Sequence, residues 1–182
     1  MIVLGIVGGL IALGLPRIKS QENKMKTVVR QMGTLSREIR SYARLKRMTY
    51  RWVLKMDDKP SYWVESAVGS VPAISQENEE KNAKMDEKER PASPFQKATK
   101  PLKEPKELPK GVKIKSVETP MMKEAMSEGI AYIYFTPEGL VEKAVIQIAN
   151  DKDATWSLIL NPLTGQADIV EKAISLKDLK FE

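Results

Sequence analysis

The 182-residue sequence contains no cysteine and no histidine. Without cysteine there is no disulfide framework and no thiol chemistry. Without histidine the chain loses the commonest general base and the commonest metal ligand together. Zinc sites and Ser–His or Cys–His nucleophile pairs are thereby excluded, and any catalysis would rest on carboxylates or lysines alone. No paired-carboxylate motif stands out, so an enzyme is not expected, and neither is a cofactor or a metal.

The sequence also lacks an even spread of charge. The net charge is +6, yet residues 17–55 carry twelve Lys/Arg against two acids, Glu22 and Glu38. The remainder is mildly acidic. A basic stem followed by an acidic body suggests contact with acidic partners, anionic headgroups or nucleic acid. Clustered arginines without interleaved aromatics are a weak nucleic-acid signal, and nucleic acid is not expected as a partner.

The opening, MIVLGIVGGLIALGLPRIKS, is apolar from Met1 to Leu15. As a helix it would reach about 22 Å, short of the roughly 30 Å hydrocarbon core. It has no basic n-region or small-residue cleavage site, so it is not a secretory signal. It is apolar on every face, which does not suit a soluble core helix. The fitting reading is a membrane span whose first turn or two is missing. The glycines at 5, 8, 9 and 14 favour close helix packing. Pro16 should kink the join between this apolar stretch and the basic stem.

From residue 17 a helical period takes over. Met25, Val28, Val29, Met32, Leu35, Ile39, Tyr42 and Ala43 recur at three- and four-residue steps. Lys24, Lys26, Arg30, Arg37, Arg40, Arg44 and Arg47 lie opposite. Gly33 interrupts this helix at a cost of about 1 kcal/mol relative to alanine. TYRWVLKMD and SYWVESAV then read as two strands around an Asp57–Pro60 turn. Ser75 to Lys110 holds seventeen charged residues and five prolines in thirty-six positions. It is expected to be a disordered insert, because its few apolar residues cannot offset the entropy of ordering it. Beyond it GVKIKSVE, IAYIYF, LVEKAVIQIA, TWSLILN and QADIVEK read as short strands separated by turns.

The expected organisation is therefore an α+β chain in five parts. Residues 1–16 form the apolar membrane or filament-core helix, and 17–48 its amphipathic basic continuation. Residues 49–74 form a first hairpin, 75–110 the insert, and 111–182 a C-terminal antiparallel β-sheet or sandwich.

Four other features have plain readings. Trp52, Trp63 and Trp156 sit on alternating strands and are expected in the core rather than in a groove. Asp57/Asp58 and Asp151/Asp153 lack the spacing of a calcium loop. Asn161-Pro162-Leu163-Thr164-Gly165 is read as a hairpin turn rather than a sortase-like signal. The acids from Glu77 to Glu89 are expected to be solvated.

The order of parts resembles a type IV pilin-like protein. More narrowly, the sequence is similar to the minor pseudopilin H (GspH/FimT) family of type II secretion. VLGIVGGLIALGLPRI is like the pilin stem, and YIYFTPEG with TWSLILNPLTGQADIV is similar to the family's C-terminal pattern. The resemblance implies a pseudopilin fold, with a long N-terminal helix and a small β domain. It implies a structural role, as a minor subunit of a short periplasmic filament that helps export folded proteins. The implied setting is the bacterial inner membrane, single-pass, with the β domain in the periplasm. The positive-inside rule alone would leave the basic stem in the cytoplasm; the resemblance places it outside.

The implied partners are other pseudopilins (the major pseudopilin and a tip complex), a prepilin peptidase acting on the precursor, and inner-membrane lipid. Assembly would fall to Ile2, Val3, Leu4, Ile6, Val7, Leu10, Ile11, Leu13 and Pro16. A minor type IV pilin for motility or DNA uptake is the first alternative, and a membrane-tethered enzyme or binding domain the second. Salt-dependent DNA binding would mark the former, and activity in a broad hydrolase screen the latter.

Family members carry a basic leader and an early glutamate ahead of this apolar stretch, so both are expected upstream of Met1. N-terminal sequencing with intact mass on protein from native membranes should find a methylated phenylalanine start and that glutamate. Finding Met1 itself would remove peptidase processing.

Overall fold

The computed structural model describes residues 2–73, 78 and 92–179, with residues 2–21 described by their helical backbone alone. Helix α1 runs as one element from Ile2 to Lys46, through both Pro16 and Gly33. From Met25 onward its periodic residues form a buried stripe of Met25, Val28, Val29, Met32, Leu35, Ile39 and Ala43. The helix ends at Arg47, whose φ of 52° turns the chain into the first strand.

Among the described residues nine strands come after the helix. β1 (Met48–Lys55), β2 (Ser61–Val68), β3 (Gln96–Lys97), β4 (Lys106–Glu107) and β6 (Ile130–Phe135) build one sheet. β1 and β2 form the expected hairpin, in register from Met48 opposite Val68 to Lys55 opposite Ser61. β6 lies antiparallel on the far side of β1. The second sheet has the order β5 (Val112–Glu118), β7 (Ala144–Asn150), β8 (Thr155–Leu160), β9 (Ala167–Val170), all antiparallel. The chain is thus α+β, one N-terminal helix followed by antiparallel sheets.

One core joins the three layers. The helix stripe meets Tyr50, Trp52, Leu54, Tyr62 and Val64 from the first sheet, and Ile114, Ala144, Ile146, Ile148, Leu158 and Leu160 from the second. Trp52 is fully buried, with its ring edge-on to Tyr62 at 5.9 Å. Trp156 packs at the core margin. Gly33 is explained by its neighbour: a Cβ there would stand 3.3 Å from the Ala167 Cβ, so the missing side chain lets α1 approach β9.

The charged segment departs from expectation. Residues 74–77 and 79–91 lie outside the described residues, but 92–110 are ordered along the edge of the first sheet. β3 and β4 both pair with β2. The backbone of Ala98 donates to Val64 O, and that of Leu108 to Pro60 O, each at 2.9 Å. Ala98, Leu102 and Leu108 join the main core. Composition averaged over thirty-six residues hides these anchors, because a few apolar residues at the right spacing suffice once an edge strand supplies backbone partners.

A second strap covers the outer face of the other sheet. After β9 the chain crosses back to β5. Ser157 is buried; its hydroxyl donates to Lys172 O at 2.7 Å and accepts from Ile174 N at 3.0 Å. The Glu118 carboxylate receives the Ser175 hydroxyl and the Leu176 amide, both at 2.8 Å. A one-turn 3-10 helix, Leu176–Asp178, closes the strap with a capping box on Ser175.

Two arginines of α1 clamp the turns between strands. Gly139 in the Thr136–Gly139 turn has a φ of +86° and lies under the Arg44 side chain, while Gly165 in the Asn161–Gly165 turn has a φ of +66° and lies under Arg40. Arg40 Nε also donates to Gly139 O at 2.7 Å. The turns are joined by the Val141 amide donating to Pro162 O at 2.8 Å. Gly69 shares the left-handed backbone (φ +75°) but has open space around it. Gly69→Ala should therefore cost about 1 kcal/mol from backbone strain alone. Gly139→Ala and Gly165→Ala should each cost more, about 2–3 kcal/mol, because the methyl group also displaces an arginine. Denaturant unfolding of the three variants checks the ranking.

Candidate assembly surface

The nine residues expected to drive assembly, Ile2, Val3, Leu4, Ile6, Val7, Leu10, Ile11, Leu13 and Pro16, all fall on the first part of α1. Their side chains lie outside the described residues. Among the described residues, no helix is long and apolar enough to cross a membrane. What the structure does show is continuity: the backbone that carries these nine runs without interruption into the stripe that holds the β domain.

The opposite face of α1 is basic and open. Lys24, Lys26, Arg30, Arg37, Arg44, Lys46 and Arg47 are exposed. Leu45, Leu140 and Leu163 are also exposed, the last two on the turns clamped by Arg44 and Arg40. This face combines fixed positive charge with small apolar projections, which suits contact with an acidic protein surface.

Three features were not legible as a site. Arg51 reads in sequence as an outward-facing strand residue, yet it is buried on the outer face of the first sheet. It pairs with Glu65 at 2.6 Å, directly opposite in register. Its guanidinium lies 4.2 Å from the Phe95 ring centre and 4.3 Å from that of Tyr132. Trp63 Nε1 donates to the other Glu65 oxygen at 2.8 Å. Trp63 is thus a half-buried member of this cluster rather than of the main core. The planar, permanently charged guanidinium suits both stacking and pairing, and it holds the ordered end of the charged segment down through Phe95. The cross-strand Arg–Glu spacing was the available signal.

The two acidic turns do come together. Asp57, Asp58 and Asp151 line one cavity of about 950 Å³ at the end of the sheets, together with Glu107 and Glu128, and Lys59, Lys110 and Lys113 line it too. Asp57 Oδ1 accepts from Gly129 N at 3.2 Å, and Asp153 pairs with Lys113 at 3.6 Å. Among the described residues no group of three or more carboxylates is placed to hold a metal ion.

Glu142 is the third feature. Burial pushes its carboxyl above the ordinary 4.5, against the opposing hydrogen bonds from the Thr119 hydroxyl and the Tyr134 amide. The Tyr134 bond is 3.2 Å long, and the Glu142 amide returns one to Tyr134 O at 2.8 Å.

The fold, a long N-terminal helix packed by its C-terminal half on antiparallel sheets, is of the pilin-like type seen in a pseudopilin. Among solved structures, it is similar to the minor pseudopilin EpsH from the type 2 secretion system of Vibrio cholerae. The TM-score is 0.51 at 10% sequence identity, covering 84% of this chain and 99% of that one. At the level of sequence, no family model matches the chain, and no curated protein matches it.

Because the folded state holds the Glu142 proton more tightly than the unfolded chain, the contribution of Glu142 to stability is fully present below about pH 4.5. It falls as pH rises through the folded-state value, then levels off. Glu142→Gln keeps an acceptor for the Tyr134 amide and removes this dependence. The difference in Tm between the variant and the parent should be near zero at about pH 4 and favour the variant at about pH 7. Parallel melting profiles across that range would assign the carboxyl an ordinary pKa.

Proposed function

We propose that this chain is a structural minor subunit of a type II secretion-like pseudopilus. In this reading it is anchored in the bacterial inner membrane by the apolar start of α1, with its β domain in the periplasm. The observation that carries the reading is the fold likeness to a minor pseudopilin over nearly all of that protein's length. The helix supports it. The 23 residues from Ile2 to Lys24 precede the stripe that is buried on the sheets. The apolar part of these, residues 2–15, makes a rod of about 21 Å at 1.5 Å per residue, and Arg17, Lys19, Glu22 and Lys24 after it belong to the basic stem.

The mechanism is binding rather than catalysis. Apolar helix segments of neighbouring subunits bundle side by side, where Gly5, Gly8, Gly9 and Gly14 allow close approach. The exposed arginines of the stem meet acidic groups of adjacent subunits, and the β domain is displayed outward. Other pseudopilins are the partners, and a prepilin peptidase and inner-membrane lipid act before assembly.

The absence of cysteine makes a clean test possible. Leu10→Cys, paired with single cysteines in the helices of candidate neighbours, should give oxidative cross-links in native membranes. Loss of the protein should also impair export of a folded substrate. A chain that stays uncross-linked, with export intact after its deletion, would overturn the reading.

A further inference from the structure

On the side of α1 facing the first sheet, a groove of about 530 Å³ opens between the helix end, β2 and the 94–100 segment. Its charge is one-sided. Lys46, Lys97 and Lys100 line it, and among the described residues no carboxylate does. All three lysines are exposed. Its floor is partly apolar: Met48 and Val68 contribute, and Val68 is 86% exposed, the highest value among the exposed large hydrophobic residues. The hydroxyl-bearing residues Tyr42, Tyr50 and Thr99 complete the wall. Burial, and secondarily the neighbouring Tyr42, raise the pKa of Tyr50, so its phenol stays protonated and able to donate.

We propose that this lysine-lined groove binds an acidic polypeptide segment of a partner protein, with carboxylates on the lysines and an apolar side chain on Val68. Each part of the chemistry selects that ligand. Lysine ammonium groups attract carboxylates and phosphates alike, but the apolar floor would be left uncovered by a bare phosphate and suits a side chain. A second copy of this chain cannot present the same basic face without like-charge repulsion. The chain's own acids between Glu77 and Glu89 alternate with Lys81, Lys84 and Lys88, which weakens them as a counter-charge. Lys46, in the last helical turn, already offsets the partial negative charge of the helix end, so Lys97 and Lys100 carry most of the attraction. The proposal goes beyond the filament reading and stands or falls separately from it.

The test uses the full chain in neutral detergent and a fluorescent twelve-residue peptide of glutamates with interspersed leucines. Saturable binding should weaken about tenfold in Lys97→Gln/Lys100→Gln and should fall steeply with added salt. Val68→Asp, at a site too exposed to disturb folding, should weaken it similarly, and the glutamine version of the peptide should not bind. Absence of binding, or binding indifferent to these changes, overturns the proposal. So does equal or tighter binding of a single-stranded oligonucleotide or of phosphatidylglycerol vesicles through the same lysines. Tighter peptide binding by Glu77→Gln/Glu79→Gln/Glu80→Gln would give the groove to the chain's own acidic run and overturn it as well.

Discussion

The structure depends on one buried stripe. Met25, Val28, Val29, Met32, Leu35, Ile39 and Ala43 lie on one side of α1 and touch residues of both sheets. Neither sheet covers its own inner face, which carries Tyr50, Trp52, Leu54 and Val64 in one and Ile146, Ile148, Leu158 and Leu160 in the other. The helix supplies that cover for both at once. Truncating a fully buried Ile or Met in the stripe removes apolar contact from two layers, at about 2–5 kcal/mol for a change to alanine. The arginines at the edge of the stripe extend the same logic outward, since Arg40 and Arg44 pin the two turns through which the sheets change direction.

Charge is handled differently inside and out. The open face of the stem leaves its lysines and arginines in water, where each costs little. Arg51 is the exception, buried with Glu65 between aromatic rings. A buried pair of this kind adds little net stability over an apolar pair. Its value lies in position, because it fixes where Phe95 and hence the returning segment meet the sheet. Two buried polar atoms among the described residues, Ser36 Oγ and Trp52 Nε1, have no hydrogen-bond partner. Both lie at the centre of the core, Ser36 on the helix stripe and Trp52 on the strand that faces it.

The sequence made the elements legible and their outer cover illegible. The helical period from Met25 to Ala43 and the patterns of β1, β2 and β5 to β9 are strong local signals, and each strand overlaps its expected stretch, although β7 starts at Ala144, four residues into LVEKAVIQIA. The resemblance in the stem and the C-terminal turns also pointed to the right fold. What did not show was the ordering of residues 92–110. Their anchors are Phe95, Ala98, Leu102 and Leu108 among lysines and prolines, and their backbone partners sit thirty or more residues away on β2. The burial of Arg51 was hidden for the same reason, since the aromatics that cover it come from two distant segments. The lysine-lined groove combines residues from the helix, the hairpin and that segment, a juxtaposition no local pattern carries.

The close approach of Gly33 to Ala167 has a temporal meaning. The helix is made before the described strands and β9 is the last of these, yet the two touch, and the strap beyond β9 must still reach back to Glu118. The domain therefore cannot close until β9 and the strap have been delivered. Until then the helix stripe can meet Tyr50, Trp52, Leu54, Tyr62 and Val64 of the first sheet but lacks its cover from the second, and contacts of such long sequence separation form slowly. A chain delivered only as far as β8 has its helix and first hairpin but neither the edge strand that meets Gly33 nor the strap that reaches Glu118.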